Sequence, residues 1–133
     1  MFVMLRSINP PGPSIPGISQ AVLVEHGRAL YLSGHLPFDS SGHLSGFDHA
    51  SQLDQVFRNI ATTLKSAGVG FEAIARLTIY VRDYKPALLE TIRSVRNRWI
   101  DHEHPTANAL IGVASLFHPD VLVEADAIAV VPG

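Results

Sequence analysis

The chain predicts an α+β fold, with strands and helices in the order β-β-β-α-β-α-β-β. Three observations carry that prediction. Two short apolar runs flank a glycine-containing turn at Gly27, a strong helical stripe runs from Leu53 to Ala67, and a strict alternation runs from Arg76 to Arg82. At 133 residues the chain has the length of one domain, expected to span 1–133, and is long enough to bury a substantial core.

Pro10, Pro11, Pro13 and Pro16 predict an extended, non-helical arm over residues 1–17, because proline removes backbone donors and restrains its neighbours. Ala21-Val22-Leu23-Val24 and Ala29-Leu30-Tyr31-Leu32 then read as the two strands of a β-hairpin turning at Gly27. Asp39-Ser40-Ser41-Gly42 is a second turn, with a short strand expected near residues 43–45. Asp48 suits the N-cap of a first helix, whose buried face is Leu53, Val56, Phe57, Ile60, Ala61, Leu64 and Ala67. Gly68 stands where helices commonly terminate.

Leu77, Ile79 and Val81 alternate with Arg76, Thr78, Tyr80 and Arg82, the signature of a half-buried strand. Pro86 suits the first turn of a second helix that turns Leu88, Leu89, Ile92, Val95, Trp99 and Ile100 inward. Arg93, Arg96 and Arg98 on that helix read as a solvated face. Strands are expected at residues 107–114 and 121–131. Both helices serve as crossovers and, if right-handed, cover one sheet face. The last strands are apolar on both sides, so the other face is expected to be covered by a second subunit.

Composition narrows the function. Hydrophobic residues make up 47% and charged residues 17%, which excludes intrinsic disorder. The absence of cysteine excludes a disulfide scaffold, a thiolate metal site and a cysteine nucleophile. A net charge of −2, without a run of Lys/Arg, gives no expectation of nucleic-acid binding. No apolar stretch approaches the ~20 residues that span a bilayer, and Met1–Leu5 is too short for a signal sequence, so no membrane contact and a cytoplasmic location are expected. Asp101-His102-Glu103-His104 groups four donor side chains without a defined partner elsewhere, so no metal site is expected.

Several stretches resemble the Rid (RidA/YjgF, endoribonuclease L-PSP-like) family: Ile18-Ser19-Gln20-Ala21, Leu32-Ser33-Gly34-His35-Leu36-Pro37 and Gln55-Val56-Phe57-Arg58-Asn59-Ile60. Ala67-Gly68, Val81-Arg82-Asp83 and Leu122-Val123-Glu124-Ala125-Asp126-Ala127-Ile128-Ala129 continue the likeness, which covers the chain from about Asn9 onward. The resemblance implies a chorismate-mutase-like fold, a homotrimer and active sites in clefts between subunits. It further implies cofactor-free hydrolysis of a reactive enamine or imine, releasing ammonia and a carbonyl compound.

By the same resemblance, Glu124 stands where the family holds its water. Read from the residues alone, Glu124 interrupts an apolar strand, so it either has partners, lines a cleft or faces solvent from an edge. Asn108 falls where the family carries an arginine that clamps the substrate carboxylate, which places simple amino-acid-derived imines in doubt. Asn108, Ala109 and Leu110 are expected to contact substrate, with Ile18 as an apolar wall in place of the family's tyrosine. Ser33 and Gly34 would form the cleft floor. His35, where glutamine is usual, is either a proton carrier near neutral pH or a hydrogen-bonded histidine at a strand end. The family's second-helix asparagine corresponds to Thr91 or Arg93. Without the arginine, a non-catalytic ligand-binding or regulatory trimer is the alternative, and ribonuclease activity the weakest reading.

Overall fold

The structure is a computed structural model and describes residues 4–133. Its main sheet has four strands in the spatial order β3-β6-β4-β5, where β3 is Arg28–His35, β4 Ile74–Arg82, β5 Ala107–Val113 and β6 Val123–Val131. The long central β6 runs antiparallel to both neighbours, while β4 and β5 are parallel. Helix α1 (His49–Ser66) joins β3 to β4, and α2 (Leu89–Trp99) joins β4 to β5. The two crossovers put both helices on one sheet face, as expected.

The buried core lies between that face and the helices. Leu53, Val56, Phe57, Ile60 and Leu64 of α1 meet Leu77, Ile79 and Val81 of β4 and the alanines of β6, with Ile92 and Val95 of α2 alongside. Asp48 caps α1 as its spacing suggests, accepting hydrogen bonds from the backbone N–H of Ser51 at 2.7 Å and its hydroxyl at 2.8 Å. Pro86 opens one 3-10 turn, Pro86–Leu88, from which α2 continues.

The predicted element order matches the observed one, but two elements differ. The strand expected at residues 43–45 is only an isolated bridge between Phe38 and Leu44. The additional strand is instead β1 (Leu5–Ile8), inside the segment read as an extended arm; the first three residues of that arm lie outside the described residues.

The expected hairpin is also corrected. β2 (Ala21–Val24) pairs antiparallel with β1, and β3 pairs with β6. Gly27 does turn the chain, at φ +115°, but the turn hands it from one sheet to the other. The physical reason is competition for backbone partners. β6 gives β3 a long ladder, from Arg28–Val131 to His35–Ala125, and β1 satisfies β2 in the small sheet.

The open face of the main sheet is less apolar than the run of residues suggests. Alternation puts Arg76, Thr78, Tyr80, Glu124 and Asp126 there, among Ala107, Ala109, Ile111 and Ile128. Tyr31 and Ile111 remain 76% and 42% exposed. Among the described residues no helix is long and apolar enough to cross a membrane.

Candidate functional site

Glu124 sits on the open face of the central strand, paired in register with Tyr80. It is half-buried, and among the described residues no donor or cation is bonded to its carboxylate. Burial raises its pKa above the ordinary glutamate value, and the nearby Asp126 charge adds to the rise. The Tyr80 hydroxyl donates to Oδ2 of Asp126 at 3.1 Å. Burial, that hydrogen bond and the two carboxylate charges push Tyr80 up, against a smaller opposing effect of Arg76.

The floor beside Glu124 is made by a β-bulge. Leu32 pairs with Ala127 and His35 with Ala125, so Ser33 and Gly34 together oppose the single residue Asp126. Gly34 lies directly against Glu124. A Cβ there would collide with Oε2 of that carboxylate, so only glycine admits the observed approach. Ser33 is exposed on the same face.

The bulge also turns His35 the other way. Its pairing with Ala125, a core residue, directs the ring toward α1. Nδ1 lies 2.7 Å from the Ser33 carbonyl and Nε2 2.7 Å from Oγ1 of Thr63. A carbonyl only accepts, so Nδ1 donates to Ser33, and the Thr63 hydroxyl lies within hydrogen-bond reach of Nε2. The two sequence-predicted catalytic residues are therefore on opposite faces of the sheet. A one-residue bulge reverses the orientation that simple alternation would give.

Asn108 and Leu110 are likewise on the helix side, paired with Leu77 and Ile79. With Ala109 and Ile18 they line a cavity of about 250 Å³ between β5, α2 and the N-terminal arm. Of the two residues proposed for the second-helix position, Arg93 lines this cavity, while Thr91 lines a separate open groove with Ala50, Glu90, Ser94, Val95 and Arg98. Asn108 donates to Oγ1 of Thr106 at 3.3 Å.

Arg96 is a correction to the solvated arginine face. It is only 5% exposed and lines the cavity. Its Nη2 donates to the Pro16 carbonyl at 3.3 Å and to Oδ1 of Asn97 at 3.2 Å. Gly17, at φ +80°, lets the arm cross it, since a Cβ there would stand 3.1 Å from Nη2. Burial lowers the Arg96 pKa, with the Arg93 charge as the second cause. The helical spacing of Arg96 four residues after Ile92 marks it as inward-facing, a signal that its charge obscures. Asp126 was legible too, two residues from Glu124 in a strand and hence on the same face.

The Asp101–His104 turn brings donor atoms of Asp101, Glu103 and His104 within 4.8 Å of one another. His104 Nδ1 is bonded to Asp101 at 2.9 Å, while His102 bonds the Asn97 carbonyl instead.

The arrangement defines an α+β domain with two helices on one face of a mixed sheet, a carboxylate without a partner among the described residues on the other face and a cavity behind one edge strand. The family model described as Endoribonuclease L-PSP matches residues 13–131, and the chain belongs to this Rid (RidA/YjgF) family. A solved Rid-family structure of unknown function from Yersinia pestis, YyfB, superposes with a TM-score of 0.88 at 34% identity, covering 97% of this chain and all of that one. The human 2-iminobutanoate/2-iminopropanoate deaminase is 31% identical over 114 residues, 85% of this chain and 79% of the relative. A RutC family protein of Pyrococcus horikoshii, PH0854, is 30% identical over 122 residues, 91% of each chain.

Proposed function

We propose that the protein is a cytoplasmic homotrimeric hydrolase that deaminates a reactive enamine or imine without a cofactor. The observation that carries this reading is the half-buried carboxylate of Glu124 against the Gly34 backbone, without a bonded partner among the described residues. Family membership and the human relative's name support the reaction class.

The chemistry needs one group to take a proton and return it. An enamine gains a proton at carbon and becomes the protonated imine, an iminium ion. Glu124, as carboxylate, accepts a proton from water while the water oxygen attacks the iminium carbon, forming a neutral carbinolamine. The protonated carboxyl then returns that proton to nitrogen, the C–N bond breaks and ammonia leaves. The carbinolamine O–H loses its proton as the carbonyl forms. A pKa raised by burial and by Asp126 makes Glu124 a better acceptor than an ordinary surface glutamate.

In one chain Glu124 and the Asn108 cavity face opposite sides of the sheet. A complete site therefore requires the open face of one copy to meet the cavity edge of another, which is why the reading includes a trimer. Ser33 and Gly34 would accompany Glu124 from one copy; Ile18, Asn108, Ala109 and Leu110 would come from the next. His35 anchors the bulge in this reading.

The test is ammonia release from 2-aminoacrylate and from larger imines generated in situ, with wild type and Glu124→Gln. Acceleration by wild type and its loss in the variant are expected. Absence of acceleration, or equal turnover in Glu124→Gln, overturns the proposal.

A further inference from the structure

The cavity behind β5 holds more positive charge than its surroundings neutralise. Its walls are largely apolar, formed by Ile15, Ile18, Ile92 and Leu110. Into it come the side chains of Arg93 and Arg96, and among the described residues neither forms an ion pair with a carboxylate. The two guanidiniums are not equivalent. Arg96 is occupied by Pro16 and Asn97, and so holds the arm that carries Ile15 and Ile18 over the cavity. Arg93 has no side-chain hydrogen bond among the described residues and is only half-buried. A half-buried cation beside a second, buried cation in an apolar recess repels it, and an anion placed between them would relieve that repulsion.

Asn108 lines the same recess. It offers an amide where the family pattern has a guanidinium, so β5 contributes no charge. We propose that Arg93, projecting from α2, is the carboxylate anchor of this cleft, and that the ligand is a carboxylic acid with a branched aliphatic or aromatic body. The guanidinium fork suits a carboxylate, and the amide of Asn108 supplies a neutral donor beside it. The size of the recess specifies the body. An apolar cavity of roughly 150 Å³ holds benzene, and this one measures about 250 Å³. An α-imino acid with a leucine- or phenylalanine-sized side chain fills it better than one derived from alanine. The proposal rests on the deaminase reading for the imino group, while its charge and size arguments rest on the cavity alone.

Binding separates the two. Isothermal titration of the intact protein with 4-methyl-2-oxopentanoate, the keto acid left by a leucine-sized imino acid, reads the anchor without turnover. Pyruvate and the neutral 4-methylpentanamide serve as size and charge controls. Wild type is expected to bind the keto acid at least about tenfold more tightly than either control. Arg93→Ala should weaken it by about tenfold or more, and Arg93→Lys, which keeps charge but loses the fork, by less. Far-ultraviolet circular dichroism checks folding, and Arg93→Gln replaces the alanine variant if that does not fold. Undetectable binding by wild type, equal binding of pyruvate or amide, or unchanged affinity in the folded neutral variant overturns the proposal. Arg93-dependent binding without ammonia release sustains it and overturns the deaminase reading instead.

Discussion

His35 pairs across the sheet with Ala125, one residue from Glu124 along β6, yet the two side chains point to opposite faces. The ring is held between the Ser33 carbonyl and Thr63 of α1, so it ties the bulge to the helix. His35→Ala should therefore cost stability, on the order of 1–2 kcal/mol for two partly exposed hydrogen bonds. It should remove no limb from the pH–rate profile. Urea denaturation and a profile from pH 5 to 9 check both parts; loss of a limb near neutrality would restore a proton-transfer role.

Gly34→Ala tests the opposite side of the bulge. The added methyl meets the far end of a flexible glutamate, which swings aside at little cost, so stability should fall by about 1 kcal/mol or less. The displaced carboxylate is then out of position, and ammonia release should drop about 100-fold. A stable but nearly inactive variant is the expected result, read from thermal melts and turnover together.

How legible this was in the sequence differs by element. The α1 stripe and the β4 alternation are long, periodic and bounded by capping or turn residues, so local rules suffice for them. β1 has four residues with only Leu5 partly covered, and no periodicity marks it. Strand partners are non-local, which is why the runs flanking Gly27 read as a hairpin. The bulge at Ser33–Gly34 was hidden for the same reason: it exists only relative to Asp126. The sequence groups Glu124, Ser33 and Gly34 in one expected cleft and the structure sets them side by side, but their separation from Asn108 and Ile18 on the other sheet side required the register.

The acidic limb of activity should lie above the ordinary glutamate range, because burial and Asp126 both raise Glu124. The reaction uses the carboxylate, so activity falls as pH drops through that raised value. Asp126→Asn removes one cause of the rise, and the limb should move to lower pH while the Tyr80 hydroxyl keeps an acceptor. For stability the sign is opposite to that of a salt-bridged acid. A raised folded pKa favours the native state below the unfolded value of about 4.3 and loses that contribution as pH rises through the folded value. Glu124→Gln should therefore lose no stability at pH 7, which denaturation at pH 4 and pH 7 measures.

Gln52 is completely buried and fully bonded. Its Nε2 donates to the carbonyls of Gly46 and Asp120, and its Oε1 accepts from the N–H of Leu122. It thereby fixes the entry of β6, two residues before Glu124. Gln52→Leu strands three backbone groups and should cost about 3 kcal/mol or more. Chemical denaturation gives the figure, and hydrogen exchange should rise at Leu122 before it rises in the α1 core.

The final prediction concerns the open face. Ile111 is paired with Tyr80 in register and is 42% exposed in one chain. If copies close over this face to bring Glu124 to a neighbour's cavity, Ile111 is covered, and a carboxylate there is desolvated without a partner. Ile111→Asp should then convert a species of three chains to one of 14.4 kDa. It should leave circular dichroism intact, since Ile111 lies outside the buried core, and it should abolish ammonia release because each site draws on two copies. Light scattering after size exclusion, paired with the activity measurement, tests both consequences. An active single chain would show that Glu124 works without a neighbour and would remove the reason for placing the site between copies.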